Sequence, residues 1–296
     1  MTIGDNGSYV IAELMKRMDP KALSRLQLGE LDDLPFLAVK LPGPFGALFT
    51  TRKGGISPGP FDSLNLSPWF DDDYKAVKSN RAKVQKLITR LFVDEKQSST
   101  NPSYQLVSPL QVHGLRVVGT AEYAAESAIQ LEQGQEIQGC DGLILNGELD
   151  QGFAALLLFA DCVPVILAGE VDVAVLHAGW RGVLDGVITQ GARAMTGPPG
   201  VAFIGPSIGP CCFSVSKDVA KDFANRFGSQ VVLDNEGGLH VDLWAAVVTE
   251  LSEIGVAVHQ VINPRLCTCC NKDLFFSFRG DNEVTGRQGA IVWAIL

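Results

Sequence analysis

Three short apolar runs in the middle of the chain constrain its fold more than any other feature. They cover residues 154–159, 163–168 and 171–176, and turn residues separate them. Each run is shorter than an average helix, so each fits a buried strand. The links between the runs are too short for a crossover helix, and we therefore expect neighbouring strands of this region to pair antiparallel.

Helical periodicity alternates with predicted strands along the rest of the chain. Residues 74–92 and 183–195 each carry an apolar stripe, and two more helices follow, the second with Asp242 as a plausible N-cap. Further strands are predicted at residues 45–51, 201–204 and 290–296. Strands and helices interleave, but several links between strands are too short for a crossover helix. We therefore predict one mixed α/β domain, of the α+β class, and not a doubly wound parallel sheet.

The first 34 residues differ in pattern from the rest of the chain. Residues 11–18 fit a short helix, whereas residues 26–33 are polar and read as irregular. We expect residues 1–34 to form a peripheral N-terminal extension that packs on the surface, and residues 35–296 to form the folded domain.

The charge of the chain excludes several classes of partner. Its 296 residues have a formal net charge of -9, and no long basic run is present. Phosphate backbones and anionic lipids both need clustered Lys and Arg, so we expect neither a nucleic-acid nor a membrane partner. The sequence also shows no signal peptide and no apolar stretch of membrane-spanning length, and we place the protein in the cytoplasm.

Cysteine and histidine are the residue types most suggestive of chemistry. The seven cysteines are an odd number, in a chain too large to be a disulfide scaffold, and there are only four histidines. Cys162 and His177 stand at the ends of neighbouring predicted strands, and a hairpin would bring them to one sheet edge. They could form a thiolate–imidazole nucleophilic pair or bind a shared metal.

His113 bears on that choice. It precedes Gly114 at the end of another short apolar stretch. A third ligand beside Cys162 and His177 would suit Zn²⁺, which accepts both imidazole and thiolate, and would leave one coordination position open. Pattern alone leaves the metal site and a metal-free pair as alternatives. Asp161, next to Cys162, could move protons or orient a ligand, or could simply make a strand-end hydrogen bond.

Two arginines are candidate contacts for an anion. Arg181 lies just before the helix predicted from Val183, where exposed N–H groups favour negative charge, and Arg52 precedes Gly54. A guanidinium suits phosphate or carboxylate.

A second group of cysteines lies towards the C-terminus. The segment 267–270 contains three cysteines, and Cys211 and Cys212 could add a pair. A structural zinc needs four ligands, but no histidine lies nearby in the sequence. We favour the interpretation that these cysteines line a pocket or fill the core.

The chain resembles the YfiH family, also called the laccase-domain or polyphenol-oxidase-like family, from about Phe49 to its end. The resemblance rests on ordered matches that include Thr51-Arg52-Lys53-Gly54-Gly55, Ser63-Leu64-Asn65-Leu66, Gln111-Val112-His113-Gly114, Ala160-Asp161-Cys162, His177-Ala178-Gly179-Trp180-Arg181, Gly209-Pro210-Cys211-Cys212 and Thr285-Gly286-Arg287-Gln288.

This resemblance implies a fold and a function. The fold would be a single domain of two packed mixed sheets flanked by helices, in four layers. The function would be phosphorolysis of adenosine, inosine, guanosine and methylthioadenosine, with additional adenosine deaminase activity. Zinc would lie on His113, Cys162 and His177, with copper open as an alternative metal. Arg52, Arg181, Asn65 and Gln111 would bind substrate, and Asp161 would assist catalysis. We expect a monomer or a weak homodimer.

The laccase label can be tested on the sequence itself. A multicopper oxidase needs two imidazole-rich copper sites, which four histidines without a His-x-His pair cannot supply. Two rival functions stay open: a metal-free Cys162–His177 hydrolase acting on peptidoglycan precursors, and a purine-binding protein without catalysis.

Overall fold

Two six-stranded sheets form the centre of the protein. The structure is a computed structural model and describes residues 7–23, 25–69, 71–91, 104–132, 138–235 and 237–295. The strands are β1 (Leu26–Leu31), β2 (Leu34–Lys40), β3 (Phe45–Thr50), β4 (Gln105–Val107), β5 (Val117–Gly119), β6 (Gly142–Asn146), β7 (Phe153–Phe159), β8 (Val163–Ala168), β9 (Asp172–Ala178), β10 (Val201–Ile204), β11 (Val232–Asn235), β12 (Gly238–Val241), β13 (Val261–Ile262) and β14 (Gln288–Ala294).

Helices surround the sheets. They are α1 (Gly7–Arg17), α2 (Pro20–Leu23), α3 (Tyr74–Leu91), α4 (Thr120–Glu132), α5 (Trp180–Asp185), α6 (Val187–Ala194), α7 (Lys217–Phe227) and α8 (Leu243–Glu253). None of the helices within the described residues is long and apolar enough to span a membrane.

Both large sheets are mixed. The first sheet has the strand order β1-β2-β3-β14-β7-β4, and only the β4–β7 pair is parallel. The second has the order β13-β10-β8-β9-β6-β5, with a parallel pair at each edge. Strands β11 and β12 form a separate antiparallel pair.

Successive side chains of a strand point to opposite faces of its sheet, and both faces are covered, which gives a four-layer arrangement. In β14, Val292 contributes to the core between the two sheets, whereas Trp293 points to the opposite face, where α3 packs. In β9, Val175 contributes to the same inter-sheet core, whereas Leu176 packs with α5 to α8 on the outer face. Because strands of both sheets are buried on both faces, their sequences are nearly continuous apolar runs. The predicted arrangement of two mixed sheets flanked by helices is confirmed.

The strand pairing differs from the prediction at one point. β8 and β9 form the expected antiparallel hairpin, with Pro164 opposite His177. β7 and β8, however, lie in different sheets, so the prediction of antiparallel pairing is wrong for this pair. Asp161, in the link between them, has a φ of 89°. The short link thus passes from one sheet to the other instead of closing a hairpin.

The N-terminal segment contributes to the sheet. Residues 26–31 form β1, which pairs with β2 along its whole length, so the prediction of an irregular segment is wrong. The alternating Leu26 and Leu28 pack against the inter-sheet core, as does Leu14 of α1. The boundary between residues 34 and 35 stays a prediction.

The helix predicted over residues 183–195 is interrupted. α5 ends and α6 begins at Gly186, which has a φ of 89°. The predictions of α3, α7 and α8 are confirmed, and the Asp242 side chain accepts a hydrogen bond from the Ala245 N–H as the N-cap of α8. The predicted ends at Phe92 and Leu296 lie outside the described residues.

Candidate metal centre

Cys162 and His177 meet because two strands of the second sheet end side by side. Cys162 is the last residue of the link from β7, directly before β8. His177 is the penultimate residue of β9, and the register pairs Val163 with Ala178. The hairpin predicted from the sequence therefore brings the thiol and the imidazole together. His177 is buried, with 4% of its surface exposed.

His113 reaches the same point from the loop between β4 and β5. Its Nε2 lies 3.8 Å from Cys162 Sγ, and its ring stands edge-on to that of His177 with the ring centroids 4.8 Å apart. Donor atoms of His113, Cys162 and His177 all lie within 4.8 Å of one another. Two nitrogens and one sulfur at this spacing fit the ligand types of a zinc site with an open position.

Asp141 orients both histidines, and the sequence analysis missed it. Its Oδ1 accepts a hydrogen bond from His177 Nδ1 at 2.8 Å, which leaves His177 Nε2 free to bind a metal. The same carboxylate accepts hydrogen bonds from the backbone N–H groups of Val112, His113 and Gly114 at 2.7–3.2 Å. A single buried carboxylate thus fixes both one imidazole and the loop that carries the other.

Charge pairing shifts the acidities at this centre. Burial would raise the pKa of the Cys162 thiol, but the adjacent His177 and His113 lower it below its ordinary value of 9.0. Burial would lower the pKa of His177, but the Cys162 thiolate and the Asp141 carboxylate raise it. The pKa of Asp141 is lowered, because its bonds to His177 and to backbone N–H groups outweigh burial. The thiol is therefore readily available as a thiolate, which is the form that ligates metals and attacks electrophiles.

Asp161 lies next to Cys162 in the wall of the site. Its side chain accepts hydrogen bonds from the hydroxyls of Thr268 and Ser277 and from the backbone N–H of Arg279, the last at 2.6 Å. Its backbone carbonyl accepts from the N–H of Ile208 at 2.9 Å. Asp161 thus makes the hydrogen bonds considered for a strand end and also lines the cavity, and its catalytic role stays a prediction.

The three candidate ligands open into a cavity of about 540 Å³, a size typical of small-molecule sites. Arg181 lines it, as predicted, with its guanidinium 4.2 Å from the centre of the Trp180 ring. Arg279 and Arg287 also line the cavity, and the sequence analysis did not single them out. The other lining residues are mainly apolar or aromatic and include Trp69, Leu158, Ile208, Phe213, Leu243 and Phe278.

The other three predicted substrate contacts are used in different ways. Gln111 lines the cavity, but its amide exchanges two hydrogen bonds with the backbone of Leu158 and so fixes the loop to β7. Asn65 is buried behind the cavity, where its Oδ1 accepts from the backbone N–H of Arg287 at 2.9 Å. Both side chains position cavity residues.

Arg52 is not among the residues that line the cavity. It donates to the carbonyls of Asp62 and Lys272 at 2.7 and 2.8 Å, and its guanidinium lies over the Phe276 ring. The structure therefore does not bring this predicted anion contact to the candidate centre.

The cysteines near the C-terminus also differ from expectation. Cys267 is buried in the core as expected, but Cys211 and Cys270 are exposed. The sulfur atoms of Cys211, Cys212, Cys267 and Cys270 all lie within 4.8 Å of one another.

Comparison with known proteins gives a consistent result. The family model described as multi-copper polyphenol oxidoreductase laccase matches residues 46–295. A purine nucleoside phosphorylase of Haemophilus influenzae is 30% identical over 262 residues, which cover 86% of this chain and 96% of that protein. The purine nucleoside phosphorylase YlmD of Geobacillus stearothermophilus is 31% identical, over 82% of this chain and 88% of that protein.

Solved structures share the fold. The crystal structure of YlmD from Geobacillus stearothermophilus has a TM-score of 0.73 at 28% identity and covers 91% of this chain and 98% of that chain. A Bacillus licheniformis protein named YfiH has a TM-score of 0.74 at 27% identity, with 90% and 98% coverage.

Proposed function

Since this chain belongs to the multi-copper polyphenol oxidoreductase laccase family, we propose that it is a purine nucleoside phosphorylase that uses zinc held by His113, Cys162 and His177. Its substrates are purine nucleosides (adenosine, inosine, guanosine and methylthioadenosine) together with phosphate. Adenosine deamination is a second reaction of the same cavity. The protein is a monomer or a weak homodimer, which light scattering will test.

The observation that carries this proposal is the convergence of the three donors in one cavity. Two imidazoles and a thiol lie within 4.8 Å of one another. Asp141 holds His177 in the tautomer that presents Nε2. These residues fit zinc, which would supply Lewis-acid chemistry at an open coordination position.

The cavity walls suit a phosphate and a nucleoside. Arg181 provides a guanidinium group that matches phosphate oxygens. Arg279 and Arg287 add positive charge to the cavity wall, where each guanidinium also donates to backbone carbonyls. The rings of Phe213 and Phe278 provide apolar faces for a purine. A phosphate oxygen positioned by the arginines attacks the anomeric carbon of ribose, the glycosidic C–N bond breaks, and the base leaves after it takes up a proton. The apolar lining reduces competition by water.

The family description mentions copper, but oxidase chemistry does not suit this chain. Four histidines cannot furnish the copper sites of a multicopper oxidase, and His240 and His259 are not among the residues that line the cavity. Copper could replace zinc at the three-ligand centre without giving that activity.

The decisive experiment incubates adenosine with the purified protein, with and without phosphate, and separates the products by chromatography. Free adenine that forms only with phosphate supports phosphorolysis. Inosine alone, or no product, contradicts it. The variant His113→Ala is expected to lose zinc and turnover together. The matched control His259→Ala removes an exposed histidine away from the cavity and should retain both. An H113A protein that turns over fully without zinc contradicts the metal mechanism.

A metal-free cysteine hydrolase is a second candidate, because Asp141, His177 and Cys162 form a chain of acid, imidazole and thiol. Activity that survives chelation and ends with a thiol alkylator would favour this candidate. Activity lost on chelation and restored by zinc would favour the phosphorylase. Purine binding without product would favour a non-catalytic binder.

A further inference from the structure

Two turns on one side of the protein carry a second group of sulfur atoms. Cys211 and Cys212 lie in the turn that follows β10, and Cys267 and Cys270 lie in the turn that follows β13. The sulfur atoms of Cys211 and Cys212 are each 3.4 Å from that of Cys270. All four lie within 4.8 Å of one another, although 59 residues separate Cys211 from Cys270.

These spacings match a tetrathiolate metal site. Four sulfurs placed about 2.3 Å from a zinc ion at tetrahedral angles are about 3.8 Å from one another. The backbone N–H of Gly209 is directed at the sulfur of Cys267 at 3.3 Å. Such an N–H group stabilises a thiolate that has lost its proton to metal binding.

Neither core packing nor a disulfide accounts for all four members of the cluster. Core packing explains Cys267, which is 5% exposed, but Cys211 and Cys270 are exposed to solvent. One disulfide would use two sulfurs and leave two thiols beside it. A metal uses all four, and four sulfur ligands in tetrahedral arrangement are typical of zinc.

We propose that Cys211, Cys212, Cys267 and Cys270 bind a second zinc ion in a closed structural site. Binding replaces four thiol protons with one metal ion and joins the two turns. These turns support the wall of the catalytic cavity: Arg279 donates to the carbonyl of Cys212, and Thr268 donates to Asp161. The site is separate from the His113, Cys162 and His177 centre and does not depend on the proposed activity.

Metal content measured by mass spectrometry on the full chain tests the proposal. The wild-type protein should hold about two zinc ions per chain, one in each site. The H113A variant, which lacks a ligand of the first site, should hold one. Adding Cys270→Ser should remove that one. Adding Cys269→Ser, the matched control in the same turn, should leave it. Zinc lost with C269S but kept with C270S would overturn the assigned ligands.

The stoichiometry also separates this inference from the proposed function. A single zinc that C270S removes and H113A does not would contradict the first site and support the second. A single zinc that H113A removes and C270S does not would overturn the inference. If C270S fails to fold, Cys211→Ser provides a second variant at an exposed ligand, and the wild-type stoichiometry still decides.

Two further measurements identify the ligands. Cobalt substituted into H113A should give the intense thiolate-to-metal charge-transfer absorption of a four-sulfur site, and C270S should lose it. In H113A, a strong chelator should lower the thermal midpoint, because it removes a ligand bound only by the folded state; in H113A/C270S it should not. Intact-mass and thiol titration showing a disulfide within the cluster, with no metal, would overturn the proposal.

Discussion

At the scale of single residues, Asp141 orients the candidate metal ligands through hydrogen bonds to His177 and to the loop that carries His113. It lies directly before β6, and its two oxygens accept from His177 and from three consecutive N–H groups of the loop that carries His113. Residues of this kind orient metal ligands and raise their basicity. Its effect should therefore be visible in metal affinity as well as in turnover.

Replacing Asp141 with Asn should weaken zinc binding at the first centre by about 10–100-fold, because the amide keeps one acceptor but loses the charge that favours the His177 tautomer. Competition with a chromogenic chelator in the C270S background measures this affinity. Asp150→Asn is the matched control, since Asp150 is also buried and accepts backbone N–H groups away from the centre. Equal zinc affinity in both variants would show that Asp141 does not orient the ligands.

The sequence predicted the three candidate metal ligands but not Asp141, the residue that orients them. Cys162 and His177 each stand at the end of an apolar run, so their convergence follows from the β8–β9 hairpin. His113 comes from the loop between β4 and β5, and the hairpin does not explain its position. Asp141 is 36 residues from His177, and only the pairing of β6 with β9 brings them together. That pairing leaves no local pattern in the sequence. Arg52 is the converse case, since a solvent-facing guanidinium and one bonded to backbone carbonyls look alike in sequence.

At the scale of elements, the break between α5 and α6 shows where periodicity misleads. Val183, Leu184, Val187 and Ile188 keep the helical spacing across Gly186, and the sequence therefore predicts one helix. The φ of 89° at Gly186 ends α5 in a left-handed conformation that favours glycine. Strand β1 was missed for the opposite reason: it is an edge strand with polar residues, so its alternation is weak.

Replacing Gly186 with Ala should lower the free energy of unfolding by about 1–2 kcal/mol, because a left-handed conformation is costly for a residue with a Cβ. A new Cβ would meet only ordinary contacts there, so backbone strain is the expected cause. Denaturant unfolding measures the change. Gly197→Ala serves as the control, since that position has open space and no positive φ. A G186A protein as stable as G197A would contradict this account.

Glu250 of α8 gives the packing of α6 a pH dependence. Its Oε1 accepts from the N–H and hydroxyl of Thr189, near the start of α6, while its Oε2 is buried and has no hydrogen-bond partner among the described residues. Burial raises the pKa of Glu250 above its ordinary 4.5. The protonated form is therefore favoured in the folded state, and its contribution to stability is present below about pH 4.5 and is lost as the pH rises through the folded-state pKa.

Replacing Glu250 with Gln should remove this pH dependence, because Gln keeps an acceptor for Thr189 but cannot ionise. The difference in unfolding free energy between the wild type and E250Q should shift in favour of E250Q as the pH is raised from about 4 to about 8. Denaturant titrations at several pH values measure that difference. A difference that does not change with pH would show that burial does not raise the pKa of this carboxyl.

At the scale of the whole molecule, the interleaving of strands and helices predicted a mixed α/β domain, and the resemblance to a known family predicted its layers. The passage of the chain from the first sheet to the second between β7 and β8 could not be predicted. Its three-residue link resembles a hairpin connection in length, but it leads to the other sheet and contains Asp161 with a φ of 89°. This crossing places Cys162 between the two sheets, where the cavity opens.

The N-terminal segment offers a test of how far one cooperative core extends. Leu14 of α1 is fully buried in the core shared by both sheets, and Arg17 donates to Asn271 and Asp273 next to the cysteine turn. Replacing Leu14 with Ala should lower the free energy of unfolding by about 2–5 kcal/mol, because it opens a cavity in that core.

Whether L14A shifts the main unfolding transition shows whether residues 1–34 belong to the same cooperative core as the rest of the domain. If α1 belongs to the core, L14A should shift the whole transition, followed by both far-ultraviolet circular dichroism and tryptophan fluorescence. The neighbouring Met15 is 51% exposed, and Met15→Ala should change the stability by no more than about 0.5 kcal/mol. An L14A protein with an unchanged main transition would instead support a separate N-terminal extension ending near residue 34.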